Sequence, residues 1–98
     1  MTIEKNLNGT ELAVTVAGRL DTTTAPLLED EIKQNLGGIE KLILDFAALE
    51  YLSSAGLRVL LAARKIMNKQ GEMVIRNVNA TILEIFEVTG FIDILTVE

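Results

Sequence analysis

The sequence predicts an α/β fold: an open mixed β-sheet of four to five strands with three to four helices packed on it. The chain has 98 residues, which suits one domain and no second core, so we expect a single domain over residues 1–98. Hydrophobic residues make up 49% of it and charged residues 23%, a balance typical of a folded globule. Segments with strand and helix periodicity follow one another in the order β-β-α-β-α-β-α, which indicates a sheet with packed helices.

A β-hairpin is predicted at the beginning of the chain. Residues 1–7 form a weak strand candidate, and residues 10–18 form a stronger one because apolar and polar side chains alternate. One face of the second strand carries Leu12, Val14 and Val16. Asn8-Gly9 between the strands predicts a two-residue turn, since both residues tolerate positive φ.

The first helix and the strand after it follow from spacing and composition. Pro26 suits a first helical turn, and Thr24 or a neighbour is the candidate cap of a helix over residues 24–36. Apolar residues recur at helical spacing, and Gly37-Gly38 ends the pattern. The continuous apolar run at 41–46 predicts a strand that is buried on both faces, as in a parallel sheet.

The second half of the chain predicts two more helices around a strand. Helix two covers about residues 54–70 and stops at Gly71, and a strand follows at 72–77. Helix three is capped by Asn79 and ends at Gly90. The last eight residues predict a turn and a short final strand. The apolar residues assigned to the sheet-facing side of helix two are Val59, Ala62, Ala63, Ile66 and Met67.

Composition excludes several classes of function. The net charge of −5 argues against nucleic-acid binding, which requires a clustered positive field. The absence of cysteine and histidine removes disulfides, thiolate chemistry, the commonest general base and the commonest metal ligand. No nucleotide-binding glycine motif or metal-ligand spacing occurs, so we expect no catalytic residues, no cofactor and no metal. Without a leader peptide or an apolar run of about 20 residues, we expect a cytoplasmic protein that does not insert into membranes.

The segment LSSAG (52–56), between the apolar runs 42–46 and 57–63, is the candidate functional site. Serine favours helix N-caps, so Ser53 or Ser54 can cap helix two and do nothing more. The alternative is that another protein modifies this joint. A phosphate at a helix start would meet free backbone N–H groups and leave the fold intact, whereas a partner closed over the hydroxyl would not tolerate its charge.

The helix after the joint combines apolar and cationic side chains beside the serines. Ser54, Arg58 and Leu61 share one stripe, and Leu57 falls on the same side. Two explanations are open for the leucines: helix one covers them, or they anchor a partner-binding face with a charged rim. A basic helix on an acidic protein would attract an acidic patch on a partner.

Several motifs, in order and spacing along almost the whole chain, resemble the STAS-domain anti-sigma factor antagonists. Residues 18–21 (GRLD) with Thr24-Ala25 look like that family's G-x-L-D…T-A. Residues 42–57 look like its aspartate-ended strand, loop and D-S-[ST]-G-L helix start. Residues 71–75 (GEMVI) and Gly90-Phe91 resemble its following strand and its glycine near the end.

The resemblance implies a STAS-like fold and a partner-switching function. An unphosphorylated antagonist binds an anti-sigma factor that is also a serine kinase and so frees a sigma factor. Phosphorylation ends the complex, and a serine phosphatase restores it. The matching acceptor is Ser54, with Ser53 as the second candidate because it replaces the aspartate of the family. Asp21 matches an aspartate expected near the acceptor, although a turn or cap role explains it equally well.

We therefore predict a non-enzymatic antagonist that is monomeric when free. Its partner-binding residues are expected to be Asp21, Ser53, Ser54, Leu57, Arg58 and Leu61. The alternative is a STAS interaction subunit that does not switch, in a transporter or scaffold complex. Nucleotide binding or an enzymatic role is a third, weaker hypothesis.

Overall fold

The computed structural model describes residues 1–98 and confirms the predicted fold class, with one strand more than the predicted order. Five strands and three helices follow one another, and a 3₁₀ turn over Phe91–Asp93 comes after them. The elements are β1 (Thr2–Asn8), β2 (Glu11–Leu20), α1 (Ala25–Asn35), β3 (Lys41–Asp45), β4 (Leu49–Leu52), α2 (Ser54–Met67), β5 (Glu72–Arg76) and α3 (Ala80–Thr89).

The sheet is mixed, with strand order β1-β2-β3-β5 and β4 paired to β2 outside that path. β1 is antiparallel to β2, whereas β2, β3, β4 and β5 pair in parallel. β3 lies between two parallel neighbours, and its consecutive residues Leu42, Ile43 and Leu44 are all buried. This confirms the strand predicted to be buried on both faces.

The first hairpin is present, but its turn lies one residue later than predicted. Asn8 pairs with Glu11 and belongs to β1, so Gly9 and Thr10 form the two-residue turn. Gly9 has φ +63°, a conformation that glycine adopts at little cost. The prediction of Asn8-Gly9 was wrong because pairing of the strands extends through Asn8.

β4 is the element that the sequence analysis missed, since it assigned the segment before the serines to a loop. β4 runs parallel to Gly18–Leu20, the last residues of β2. The register shifts between Gly18 and Arg19, and such a bulge bends the strand. The beginning of β2 therefore pairs with β3, and its end pairs with β4.

The core lies between the sheet and the three helices. One cluster of 24 buried residues joins alternate positions of the strands to residues of all three helices. On α2 the buried face includes Val59, Ala63 and Met67 as predicted, while Ala62 and Ile66 are half-buried. Leu60, which the sequence analysis did not assign to that face, is completely buried. The buried face of α2 is therefore rotated about the helix axis relative to the predicted one, so that it includes Leu60.

The ends of α3 follow the predicted signals, whereas α2 is shorter than predicted. Asn79 caps α3 with a hydrogen bond from the Ile82 amide at 2.9 Å, and Gly90 ends it at φ +81°. α2 ends at Met67, earlier than predicted, and the Gly71 amide donates to the Met67 carbonyl oxygen at 2.7 Å. The final strand reduces to an isolated bridge between Ile75 and Val97.

Candidate functional site

The LSSAG segment joins the end of β4 to the first turn of α2, and the structure separates the roles of its two serines. Ser53 is the N-cap residue: its backbone is extended, and its Oγ accepts a long hydrogen bond of 3.5 Å from the Gly56 amide. Ser54 is the first residue of α2, and its side chain is exposed. The cap therefore uses the Ser53 hydroxyl, while the Ser54 hydroxyl lies outside it.

Gly56 lets the first turn of α2 approach the ends of two strands. A Cβ atom at this position would lie 2.5 Å from Cδ1 of Leu52 and 2.9 Å from Cγ of Leu20. Both leucines are buried in the core, so they have little room to move. The glycine of the segment is therefore explained by close packing of the first turn of α2 against the ends of β2 and β4.

Asp21 organises the turn that leads from β2 into α1. Its Oδ1 atom accepts hydrogen bonds from the amides of Thr23 at 3.0 Å and Thr24 at 3.1 Å. The bond from the Thr24 amide is the largest influence that holds the pKa of the Asp21 carboxyl below its usual value. Burial opposes this shift, while the Thr23 amide, the Thr24 hydroxyl and the Arg19 charge add to it. The turn role that the sequence left open for Asp21 is therefore present in the structure.

Thr24, the candidate cap of α1, has a different role. It occupies the N-cap position, but its side chain makes no cap hydrogen bond to the helix. Its hydroxyl donates to the Arg19 carbonyl oxygen at 2.7 Å and accepts from the Asp21 amide at 2.9 Å. Asp21 accepts the hydrogen bonds at the start of α1 instead. Its carboxylate accepts the Thr24 amide, and its backbone carbonyl oxygen accepts the Ala25 amide at 2.8 Å.

A backbone hydrogen bond connects the Asp21 turn to the serines. The Ser53 amide donates to the Leu20 carbonyl oxygen at 2.9 Å, and Leu20 pairs with Leu52 in the parallel register. Asp21 and Ser53 therefore follow the ends of two adjacent strands. This is the carboxyl edge of a parallel sheet, where ligand and partner sites of open α/β folds are commonly found.

Arg19 and Tyr51 flank this edge, and the sequence analysis missed both. They are direct partners in the β2–β4 register, and the Arg19 guanidinium lies 4.4 Å from the centroid of the Tyr51 ring. Each side chain is exposed, and a cation above an aromatic face is attracted to it. The pair could be found only with β4 assigned, because no local sequence signal joins residues so far apart.

The predicted stripe on α2 is only partly exposed. Ser54 and Arg58 are exposed, and Leu61 is half-buried. Leu57 is only 6% exposed and belongs to the core cluster, so it does not lie with Ser54 on the outer side, and of its two open explanations the one in which it is covered within the chain agrees with the structure. The residue before it, Gly56, is packed against two buried leucines at the strand ends, so the first turn of α2 lies close to the core.

The charge of α2 contrasts with that of the whole chain. The helix carries Arg58, Arg64 and Lys65 and no acidic residue, although the chain has a net charge of −5. Its outer side is therefore a local basic surface beside the serines.

Two classes of feature are absent from the 98 described residues. No group of three or more His, Cys, Asp or Glu side chains is arranged to hold a metal ion. No helix is long and apolar enough to cross a bilayer.

Comparisons with known proteins agree on one family. The STAS domain model matches residues 2–98. A Bordetella bronchiseptica protein named as the anti-sigma factor antagonist BtrV is 36% identical over 88% of this chain and 76% of its own length. An anti-sigma-B factor antagonist of Listeria monocytogenes is 34% identical over 85% of this chain and 75% of its own length.

A solved structure supports the same grouping. The crystal structure of an anti-sigma factor antagonist from Mycobacterium paratuberculosis superposes with a TM-score of 0.89 and 25% sequence identity. The match covers 98% of this chain and 83% of the other. The chain belongs to the STAS-domain family of anti-sigma factor antagonists.

Proposed function

We propose that this family member is a phosphorylation-controlled antagonist in a partner-switching circuit. Its unphosphorylated form binds an anti-sigma factor that is also a serine kinase, and so releases a sigma factor. Phosphorylation of Ser54 dissociates that complex. The observation that carries the proposal is that the two serines differ in role: Ser53 caps α2, whereas Ser54 is exposed and takes no part in the cap.

Ser54 suits the role of acceptor because its hydroxyl makes no contribution to the cap of α2. In the transfer, a bond forms between Oγ and the γ-phosphorus of ATP, the bond from that phosphorus to ADP breaks, and the hydroxyl proton is released. Ser53 is the second candidate, but its half-buried hydroxyl already accepts the Gly56 amide. Modification there would disturb the start of α2.

The binding surface in this proposal surrounds Ser54. Arg58 and Leu61 supply a cation and a half-buried apolar contact on α2, while Asp21 and Ser53 contribute from the adjoining sheet edge. Leu57 lies in the core, so its part in this surface is to hold the first turn of α2 in place. The basic surface of α2 fits an acidic patch on the partner, because complementary charges accelerate and orient association.

The switch follows from how differently the fold and the complex respond to a phosphate. At the first residue of a helix, a phosphate meets free N–H groups and the positive end of the helix dipole, so the domain stays folded. In a complex closed over Ser54, the same group brings about −1.5 to −2 charges into a desolvated contact. An unpaired buried charge costs several kcal/mol, and each ~1.4 kcal/mol weakens affinity tenfold.

In this circuit the chain is the protein that is phosphorylated. It acts over residues 1–98 as one cytoplasmic domain that is the substrate and the switch, not a catalyst. It is a monomer when free. A serine phosphatase removes the phosphate from Ser54 and returns the chain to its binding form.

The first test is capture of partners from host lysate with the tagged wild type, Ser54→Ala and Ser54→Asp. We expect wild type and Ser54→Ala to retain an ATP-binding anti-sigma kinase and Ser54→Asp to lose it, with a Kd at least tenfold weaker. The matched control is Thr81→Asp, because Thr81 is an exposed hydroxyl residue in the first turn of α3. This control should bind like the wild type.

Two outcomes would reject the proposal. Equal retention of the kinase by Ser54→Asp and wild type would show that a negative charge at position 54 does not control binding. Capture of the same transporter or scaffold component by all three proteins would support the non-switching alternative instead. If the kinase is captured, a second experiment identifies the acceptor. The purified kinase is incubated with wild type, Ser53→Ala and Ser54→Ala, and only Ser54→Ala should fail to incorporate phosphate.

A further inference from the structure

Arg58 is an exposed cation beside the acceptor serine and has no partner within the chain. The ion pairs of the structure use Lys5, Lys33 and Arg76, and the cation–π contact uses Arg19. α2 contains no carboxylate that could pair with Arg58 along the helix. Its guanidinium therefore keeps its N–H donors available to an anion that arrives from outside or is created on the protein.

The position of Arg58 relative to Ser54 is the one that favours an ion pair on a helix. Both residues are exposed on α2 and stand four positions apart, so they are neighbours on its surface. Helical side chains lean toward the N-terminus, which directs Arg58 over the turn that holds Ser54. An anion followed by a cation at i+4 is also the more stabilising of the two possible orders.

We infer that a phosphate on Ser54 forms an intramolecular ion pair with Arg58, which withdraws the arginine from the partner-binding surface. Guanidinium and phosphate form paired, charge-assisted hydrogen bonds that a lysine cannot reproduce with the same geometry. Modification would therefore act in two ways, by adding negative charge and by occupying the cation nearest to the acceptor. This inference rests on the proposed modification of Ser54.

Two charged side chains at the adjoining sheet edge already have polar or cation–π contacts within the chain, whereas that of Arg58 has none. Asp21, the acidic residue at the adjoining strand end, has its Oδ1 atom bonded to the amides of the α1 turn. Arg19 lies over the Tyr51 ring. The residue before Ser54 is Ser53 and carries no charge, so no fixed carboxylate next to the acceptor competes for Arg58.

The test uses the full chain with phosphoserine incorporated genetically at position 54, so it needs neither a kinase nor a partner. The second pKa of the phosphate, normally about 6, is measured by ³¹P NMR titration. Because a nearby cation favours the dianion, we expect Arg58→Gln to raise this pKa by about 0.3 units at low salt. The difference should largely disappear in about 1 M salt.

Lys65→Gln is the matched control, since it removes one positive charge that lies about 16 Å from Ser54 along the axis of α2. It should leave the phosphate titration unchanged. Identical titrations of the phosphorylated parent and Arg58→Gln would overturn the inference, and so would an equal shift in Lys65→Gln. Circular dichroism checks that each variant keeps its helices, which is expected because glutamine is a good helix former.

The two proposals fail in different ways. If the ³¹P titration shows no effect of Arg58 while Ser54→Asp still releases the kinase, the proposed function stands and the switch acts through added charge alone. If the titration shows the ion pair but no kinase is captured, the pair is real and the proposed function is wrong. In a complete switch, Arg58→Gln should also weaken binding of the unphosphorylated form by roughly tenfold, as expected for the loss of a charge pair of about 1–2 kcal/mol.

Discussion

The starts of α2 and α3 are attached to the domain in opposite ways. α3 is held by one side chain: Asn79 accepts the Ile82 amide at 2.9 Å and donates to the Leu49 carbonyl oxygen at 2.8 Å. α2 is held by close packing at Gly56 and by the Ser53 amide bonded to the Leu20 carbonyl oxygen. A helix start can thus be fixed by backbone hydrogen bonding and a closely packed glycine, and at α2 this leaves the Ser54 hydroxyl outside the cap.

Gly56→Ala is expected to have the largest effect on the start of α2. The added methyl group would collide with Leu20 and Leu52, and overpacking of a dense core costs about 1–3 kcal/mol. Urea unfolding should show this loss in the free energy of unfolding. Gly37→Ala is the control, because nothing lies within 4 Å of a Cβ atom there, and it should be neutral or stabilising. Equal stability of Gly56→Ala and wild type would show that packing does not fix the start of α2.

The next effect separates the two caps directly. Asn79→Ala removes an N-cap and leaves the Leu49 carbonyl oxygen without its donor, so we expect a loss of about 1–2 kcal/mol. Ser53→Ala removes only a bond of 3.5 Å, for which about 0.5 kcal/mol is expected. Both values come from chemical denaturation under the same conditions. A larger loss for Ser53→Ala would reverse the comparison.

The start of α1 differs from those of α2 and α3 in that its stability is expected to depend on pH. The pKa of Asp21 is lowered in the folded state, chiefly by the Thr24 amide, so its carboxylate stabilises the fold above the unfolded-state pKa of 3.8. This contribution is lost as pH falls through the lower, folded-state value. The stability difference between wild type and Asp21→Asn should therefore be present at about pH 6 and decline below about pH 4. A difference that stays constant with pH would indicate that the charge of Asp21 has no such role.

The smallest change in stability is expected for Ser54→Ala. Its exposed hydroxyl takes no part in the cap, and exposed substitutions of this kind usually stay within about 0.5 kcal/mol. Thermal unfolding and urea unfolding should both place it beside the wild type, although it cannot accept a phosphate. A loss comparable to that of Asn79→Ala would mean that Ser54 is structural.

The sequence predicts most of the fold because local signals and burial agree along most of the chain. Asn79 and Gly90 predicted both ends of α3, and the apolar run of β3 predicted its burial. β4 could not be predicted, since a strand from Leu49 to Leu52 is short and its pairing depends on the bulge in β2. In the sequence analysis this segment was only the loop between the aspartate-ended strand and the start of helix two.

For the candidate site, the exposure of two residues was predictable from the sequence, but the arrangement around them was not. Helical periodicity located Ser54 and Arg58 correctly on the outer side of α2. It placed Leu57 there as well, because a helical wheel contains no information about the elements that pack against the helix. The close packing at Gly56 and the Arg19–Tyr51 contact likewise arise from the β2–β4 pairing, which lies outside local sequence.

The split pairing of β2 also bears on how the domain assembles and opens. β4 reaches β2 only after α1 and β3 have intervened in the chain, so this pairing closes a long loop, and such contacts slow folding. It is also short, and weakly supported segments open before the rest of a native protein. Deuterium exchange at the Ser53 amide therefore reports on the local opening that would separate the serine-bearing turn from the end of β2.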